Sequence, residues 1–216
     1  MKFDKSKLSL LISFLFFVGF LGLFYGVSVN APWLRSLDYF GNEVFRLDVS
    51  SEFTMAVFTF SQVGSIRNLL YVALVIGALL LYKKERFSFF WFGITGGLVG
   101  GAIPLTLKNT IRRGRPIDGL MARVGYSFPS GHAMGALALY GLIILLAVFY
   151  IRKAWLRYTV MISSLGIILI VSWSRIHIGV HYLSDILGSI FLGMSLLIVA
   201  WVVISSFREK SERSFE

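Results

Sequence analysis

The sequence predicts an all-α fold: a polytopic membrane helical bundle of six transmembrane helices, with short interfacial helices between the first two. Three observations predict it. Hydrophobic residues make up 56% of the 216 positions and charged residues only 15%, more apolar surface than a water-soluble core can hide. The apolar residues gather into six runs, most of them close to the roughly 20 residues that cross about 30 Å of hydrocarbon. The basic residues that bring the net charge to +10 stand in short clusters between those runs.

The first run, 8–29, follows Lys2, Lys5 and Lys7. Its end at Val29-Asn30-Ala31 resembles a signal-peptidase site, but 22 residues exceed the roughly 7 to 15 of a cleaved signal, so a retained anchor is expected. Residues 31–62 mix Trp33, Phe40, Phe45, Phe53 and Phe58 with Arg35, Asp38, Glu43, Arg46, Asp48 and Glu52, a pattern for helices lying in the interface. The second run, 66–82, is the shortest. The third, 88–107, contains "GITGGLVGG", in which Gly93, Gly97 and Gly101 repeat every four residues; this marks a face for close helix packing instead of a phosphate-cradling loop. Phe87, Phe89, Phe90, Trp91 and Phe92 at its start read as an interfacial aromatic belt. Runs 132–151, 156–174 and 185–206 complete the bundle, and the polar tail after Phe207 reads as a frayed cytoplasmic end. No internal repeat or composition shift divides the chain, so residues 1–216 are expected to form a single domain.

Charge and composition exclude several classes. With no cysteine there is neither a disulfide framework nor a thiolate metal site. The basic clusters have no soluble domain to present them to nucleic acid, so anionic lipid is the expected partner, and no obligate protein partner is inferred. With both termini cytoplasmic, the inner segments hold twelve Lys and Arg and the outer ones nine. Six of those nine crowd into 108–123 and position 175. A bias broken at one place calls for a reason there, and an anion site on the extracellular or periplasmic face supplies it.

The same face gathers the chemistry. "KNTIRRGRP" places Lys108 and Arg115 seven residues apart as the third run ends; "PSGH", residues 129–132, opens the fourth; "SRIHIGVHYLSD" joins the fifth to the sixth. All three histidines lie in these stretches. Lys108, Arg115 and Arg175 bring three positive charges to one phosphate, with guanidinium groups able to grip it bidentately. Pro129 and Ser130 suit a helix start, where the free N–H groups of Gly131 and His132 point at an anion. His181 and Asp185 stand at i and i+4, so the carboxylate can fix the imidazole tautomer and leave the other nitrogen as nucleophile. His132 is left to protonate the departing oxygen.

These residues resemble the type 2 phosphatidic acid phosphatase (PAP2) superfamily. Its pattern KxxxxxxRP, PSGH and SRxxxxxHxxxD is matched without gap by Lys108–Pro116, Pro129–His132 and Ser174–Asp185. The resemblance implies an integral membrane lipid phosphatase without metal or other cofactor. His181 would form a phosphohistidine, Asp185 orient it, His132 act as general acid, and Lys108, Arg115, Ser130, Gly131 and Arg175 bind phosphate. The substrate is expected to be a phosphorylated membrane lipid: phosphatidylglycerophosphate and undecaprenyl pyrophosphate lead, with phosphatidate a further candidate.

Competing readings are open at this stage. A lipid phosphotransferase would use the same site with an alcohol as acceptor. A transporter of anionic lipid would need no His181–Asp185 pair and would carry charge near the bilayer midplane. His177, His181 and Asp185 repeat every four residues and could line one helix face as metal ligands, although three cations against one carboxylate favour an anion. His177 is expected to be a surface or packing residue. Arg112, Arg113 and Arg123 are expected to be headgroup contacts, with Asp118 pairing one of them.

Overall fold

The computed structural model describes residues 5–121 and 124–213, and among these the regular structure is helical without a strand. Lys2 and Arg123, considered above, lie outside the described residues. The helices are α1 (Lys5–Ser28), α2 (Pro32–Phe45), α3 (Ser51–Ser61), α4 (Ile66–Tyr82), α5 (Arg86–Gly97), α6 (Ile103–Ile111), α7 (Gly131–Tyr150), α8 (Ala154–His177) and α9 (Leu183–Arg213). Among the described residues five stretches are long and apolar enough to cross a membrane, and there are six if α3 and α4, bent by 44° at their junction, count as one span.

The expected interfacial segment divides in two. α2 is the short amphipathic helix, started by Pro32 and burying Leu34, Asp38 and Gly41 on one face. α3 leads into the second span, α4, across the 44° bend. Ser50 caps it by accepting the Phe53 N–H at 3.3 Å, and Val57 packs on Ile178 and Val180 beyond α8.

α7 is the central helix, with 67% of its apolar window buried. Small residues let its neighbours approach. A Cβ on Gly141 would stand 2.5 Å from Leu197 of α9, and one on Gly193 2.4 Å from Leu137 of α7, the contact pattern by which helices associate in lipid. α1 lies along α9, where the Ser13 hydroxyl donates to the Ser195 carbonyl at 2.9 Å.

Two expectations for the third span are corrected. Gly93, Gly97 and Gly101 do not carry helix packing: a Cβ on any of them would meet nothing within 4 Å. A π-helical turn at Leu98–Ala102 widens the helix between α5 and α6 and shifts its register. Gly100 faces α7 instead, 3.2 Å from the Ala138 Cβ when a Cβ is added. The glycine stripe lines an apolar cleft of about 560 Å³ between α4, α5 and α7. Nor is the aromatic run a belt. Trp91 and Phe92 are buried, Trp91 Nε1 donates to the Ala200 carbonyl at 3.1 Å, and Phe87 stacks on Phe207; Phe90 alone of these four is strongly exposed.

α8 and α9 are separated by a turn at 178–182. Gly179 occupies it with φ +68°, and a Cβ there would also stand 2.9 Å from the Gly119 Cα. Glycine is required on both counts.

Candidate active site

Three segments distant in sequence meet beside that turn. Arg115 fastens the segment after α6: its Nε donates to the Gly125 carbonyl at 3.0 Å and one terminal nitrogen to the Val180 carbonyl at 2.8 Å. Leu120 N–H donates to the Ile178 carbonyl at 3.0 Å. Lys108 Nζ, at the end of α6, donates to the carbonyls of Tyr126 and Ser127 at 2.7 and 3.3 Å. The start of α7 is tied to α9 through Ser189, whose hydroxyl accepts the Ser130 N–H at 2.9 Å and donates to the Asp185 carbonyl at 2.8 Å. Ser130 caps α7 with its own hydroxyl.

His181 lies immediately before α9 and Asp185 in its first turn; both are buried. His181 Nδ1 lies 3.3 Å from Asp185 Oδ2, and Nε2 lies 3.1 Å from a terminal nitrogen of Arg115. A guanidinium has no acceptor, so Nε2 must accept from Arg115 and the ring proton sits on Nδ1, donated to Asp185. The imidazole is neutral. Burial pushes its pKa down to about 4, against the raising effect of the Asp185 hydrogen bond, with Arg115 and Lys108 adding to the depression. A neutral ring held in this tautomer presents its Nε2 lone pair toward the cationic side chains.

The remaining expected residues stand on the adjoining ends of α7 and α8. Arg175 is 1% exposed; one terminal nitrogen donates to the Ser61 hydroxyl at 3.0 Å, and its carbonyl accepts the His181 N–H at 3.2 Å. Gly131 and His132 form the first turn of α7, and a Cβ on Gly131 would lie 3.8 Å from Lys108 Cε.

His177 takes one of its two expected roles, while the shared ligand face and the partner of Asp118 depart from expectation. His177 is fully buried within the described residues: it accepts the Leu47 N–H at 3.3 Å on Nδ1 and stacks on Trp173. It is a packing residue. Because α8 ends at His177 and the chain turns before α9, His177, His181 and Asp185 do not share one helix face. Asp118 pairs with Arg46 of the segment after α2 instead of a neighbouring arginine. Arg112 takes a left-handed conformation at the end of α6 and donates to the Asn109 carbonyl at 3.0 Å.

Arg113, expected at a headgroup, is part of the site, and so is Asp38 of α2. Arg113 donates to Asp185 Oδ1 at 2.6 Å, to the Ser184 hydroxyl at 2.7 Å and to Asp38 Oδ2. Its guanidinium lies 4.1 Å from the centre of the Tyr182 ring. Burial alone would lower its pKa, but Asp185 and Asp38 hold it above the ordinary range. Sequence showed the charges but had no signal for this pairing across 75 positions.

Residues 50–209 match the model of the PAP2 superfamily. Phosphatidylglycerophosphatase B of Bacillus subtilis (strain 168) is 31% identical over 158 residues, 71% of this chain and 74% of that protein. The crystal structure of a transmembrane PAP2-type phosphatidylglycerolphosphate phosphatase from Bacillus subtilis superposes with a TM-score of 0.76 at 24% identity, covering 92% of this chain and 96% of the other.

Proposed function

Because the chain belongs to the PAP2 superfamily and is a membrane phosphatase, we propose that it hydrolyses the phosphate monoester of phosphatidylglycerophosphate through a phosphohistidine on His181. The observation that carries the proposal is the pair of contacts on His181, Nδ1 at 3.3 Å from Asp185 and Nε2 at 3.1 Å from Arg115, from which the Nδ1–H tautomer follows. A phosphate entering beside Lys108, Arg115, Arg175 and the first N–H groups of α7 takes over the Arg115 donor and meets that lone pair.

In the first step Nε2 forms a bond to phosphorus while the bond from phosphorus to the lipid oxygen breaks. His132 gives its proton to that oxygen, which becomes the terminal glycerol hydroxyl of the headgroup, and phosphatidylglycerol leaves. In the second step His132 takes a proton from water, whose oxygen attacks phosphorus. The N–P bond breaks, inorganic phosphate departs, and both histidines return to their starting forms. The positive charge on the phosphorylated ring is stabilised by Asp185. The three cations oppose the charge of the transferring phosphoryl group, so no metal is required.

The substrate's chains lie in the bilayer, and the apolar cleft lined by Gly135, one turn beyond His132, begins close to the headgroup site. The excess of Lys and Arg at Lys83, Lys84, Arg152 and Lys153 supports cytoplasmic termini and an outward-facing site. Support for phosphatidylglycerophosphate comes from the Bacillus subtilis relative. Phosphate release by the purified protein from phosphatidylglycerophosphate, phosphatidate and undecaprenyl pyrophosphate, all with EDTA present, tests it. The highest kcat/KM is expected on phosphatidylglycerophosphate. Turnover of undecaprenyl pyrophosphate alone, or activity abolished by EDTA and restored by a divalent metal, overturns it.

A further inference from the structure

We infer that Arg113 and Asp38 are positioning residues for the reaction, Arg113 clamping the carboxylate of Asp185 and Asp38 clamping Arg113 from the amphipathic helix α2. The inference rests on the reading of His181 as nucleophile. Neither residue belongs to the motif positions expected to touch phosphate, and Asp38 lies before the matched residues 50–209.

The geometry separates Arg113 from the phosphate-binding cations. Lys108 donates to two neutral carbonyls, which leaves its charge available to an anion. Arg113 is engaged by two carboxylates, Asp38 and Asp185, and its Cζ lies over the Tyr182 ring. A third anion would have to compete with both. Its charge therefore acts inward: it fills the Oδ1 side of Asp185, while the Tyr182 N–H at 3.0 Å and His181 Nδ1 share Oδ2. With both oxygens fixed, Asp185 cannot rotate away from the imidazole.

Asp38 holds the other end. Its Oδ1 accepts the Ser184 N–H at 2.9 Å, one of the unpaired donors of the first turn of α9, and its Oδ2 accepts Arg113. α2 can come this close because residue 41 is glycine; a Cβ there would stand 2.4 Å from Leu183. Asp38 is 5% exposed and Asp185 not exposed at all, and buried carboxylates need such partners.

The test compares Arg113→Gln, Arg113→Lys and Asp38→Asn with the wild type and with His181→Ala, in detergent, on whichever lipid phosphate the wild type hydrolyses. Partners that orient a metal-ligating histidine are worth about 10- to 100-fold, and the same scale is expected for a reacting histidine oriented in the same way. Arg113→Gln should lower kcat by that factor while KM and the inhibition constant of inorganic phosphate change less than about threefold, on the same scale. Asp38→Asn should lower kcat by a smaller factor, and its effect should vanish in the Arg113→Gln background. Arg113→Lys should recover part of the loss. A rise in KM and in the phosphate inhibition constant matching the loss in kcat/KM makes Arg113 a phosphate ligand and overturns the inference; an unchanged kcat overturns it too. If Arg113→Gln does not fold, Asp38→Asn and Arg113→Lys decide by the same criteria. Residual activity in His181→Ala would remove the mechanism above, a result distinct from any of these.

Discussion

Replacing Asp185 by asparagine keeps the shape of the side chain but removes one acceptor, and the structure says which contact must fail. The amide oxygen can stay on the Oδ2 side, keeping the Tyr182 N–H and His181 Nδ1 but turning its NH2 against Arg113. It can instead face Arg113, which places NH2 against Nδ1, forces the other imidazole tautomer and sets a new Nε2–H against Arg115. Charge-assisted hydrogen bonds are worth about 1.5–3 kcal/mol and neutral ones about 0.5–1.5, so holding the reactive tautomer costs on the order of 1 kcal/mol. The larger loss is the carboxylate charge beside the ring as it becomes cationic: about 4 kcal/mol for unit charges near 4 Å at an effective dielectric constant of about 20. Together these give about 5 kcal/mol, or roughly 10³- to 10⁴-fold in kcat. The assay is single-turnover phosphate release with saturating enzyme, on protein whose melting curve in detergent shows it folded. A loss of less than tenfold in the folded variant would refute the claim that Asp185 sets the tautomer and stabilises the charged ring.

Three further outcomes are expected. His132→Ala should cost about 100- to 10,000-fold on a lipid monoester and distinctly less on a lipid pyrophosphate, whose leaving group is less basic; equal losses would reassign His132 to phosphate binding. Unfolded His181 takes up a proton near pH 6.5 and the folded ring only at about 4, so between those values the unfolded state holds more protons and stability falls as pH falls. The Tm of the wild type relative to His181→Gln should therefore drop from pH 6.5 to pH 4, whereas a constant difference would contradict a neutral buried ring. Single cysteines placed near Asp118 should react with an impermeant thiol reagent in intact cells, and ones near Lys84 or Lys153 should not; the chain has no cysteine of its own, and the reverse pattern would put the site on the cytoplasmic face.

The bundle was legible because membrane crossing sets a minimum apolar length, which the runs later found as α1, α7, α8 and α9 satisfy on their own. The second span was legible only as 66–82, the run found as α4, because α3 carries Glu52, is followed by Gln62 and joins α4 only through a bend. The glycine stripe was misread. A period of four does place Gly93, Gly97 and Gly101 on one face, but that face lines the cleft, while the neighbouring Gly96 and Gly100 meet α7. His181 with Asp185, and Lys108 with Arg115, could be found by spacing because each pair is local or falls within one motif. Asp38 with Ser184, Arg46 with Asp118 and Arg113 with Asp38 join positions 72 or more apart, and a single sequence carries no signal for that.

The arrangement of charge explains why two arginines separated by one glycine have different roles. Arg115 donates to carbonyls and to a neutral imidazole, contacts weak enough for an incoming phosphate to displace. Arg113 meets two buried carboxylates, contacts that a phosphate cannot displace without leaving a carboxylate unpaired. Were Arg113 a lysine, one ammonium would have to serve Asp38, Asp185 and Ser184 without the planar fork that reaches all three or the flat face that lies on Tyr182. Were Asp38 absent, the terminal nitrogen of Arg113 that it holds would lose its carboxylate and could take a phosphate oxygen on the Oδ1 side of Asp185, away from Nε2. Two carboxylates around Arg113 thus set it apart from Lys108, Arg115 and Arg175, the cations to which the proposed mechanism gives the phosphate, with His181 as its proposed nucleophile.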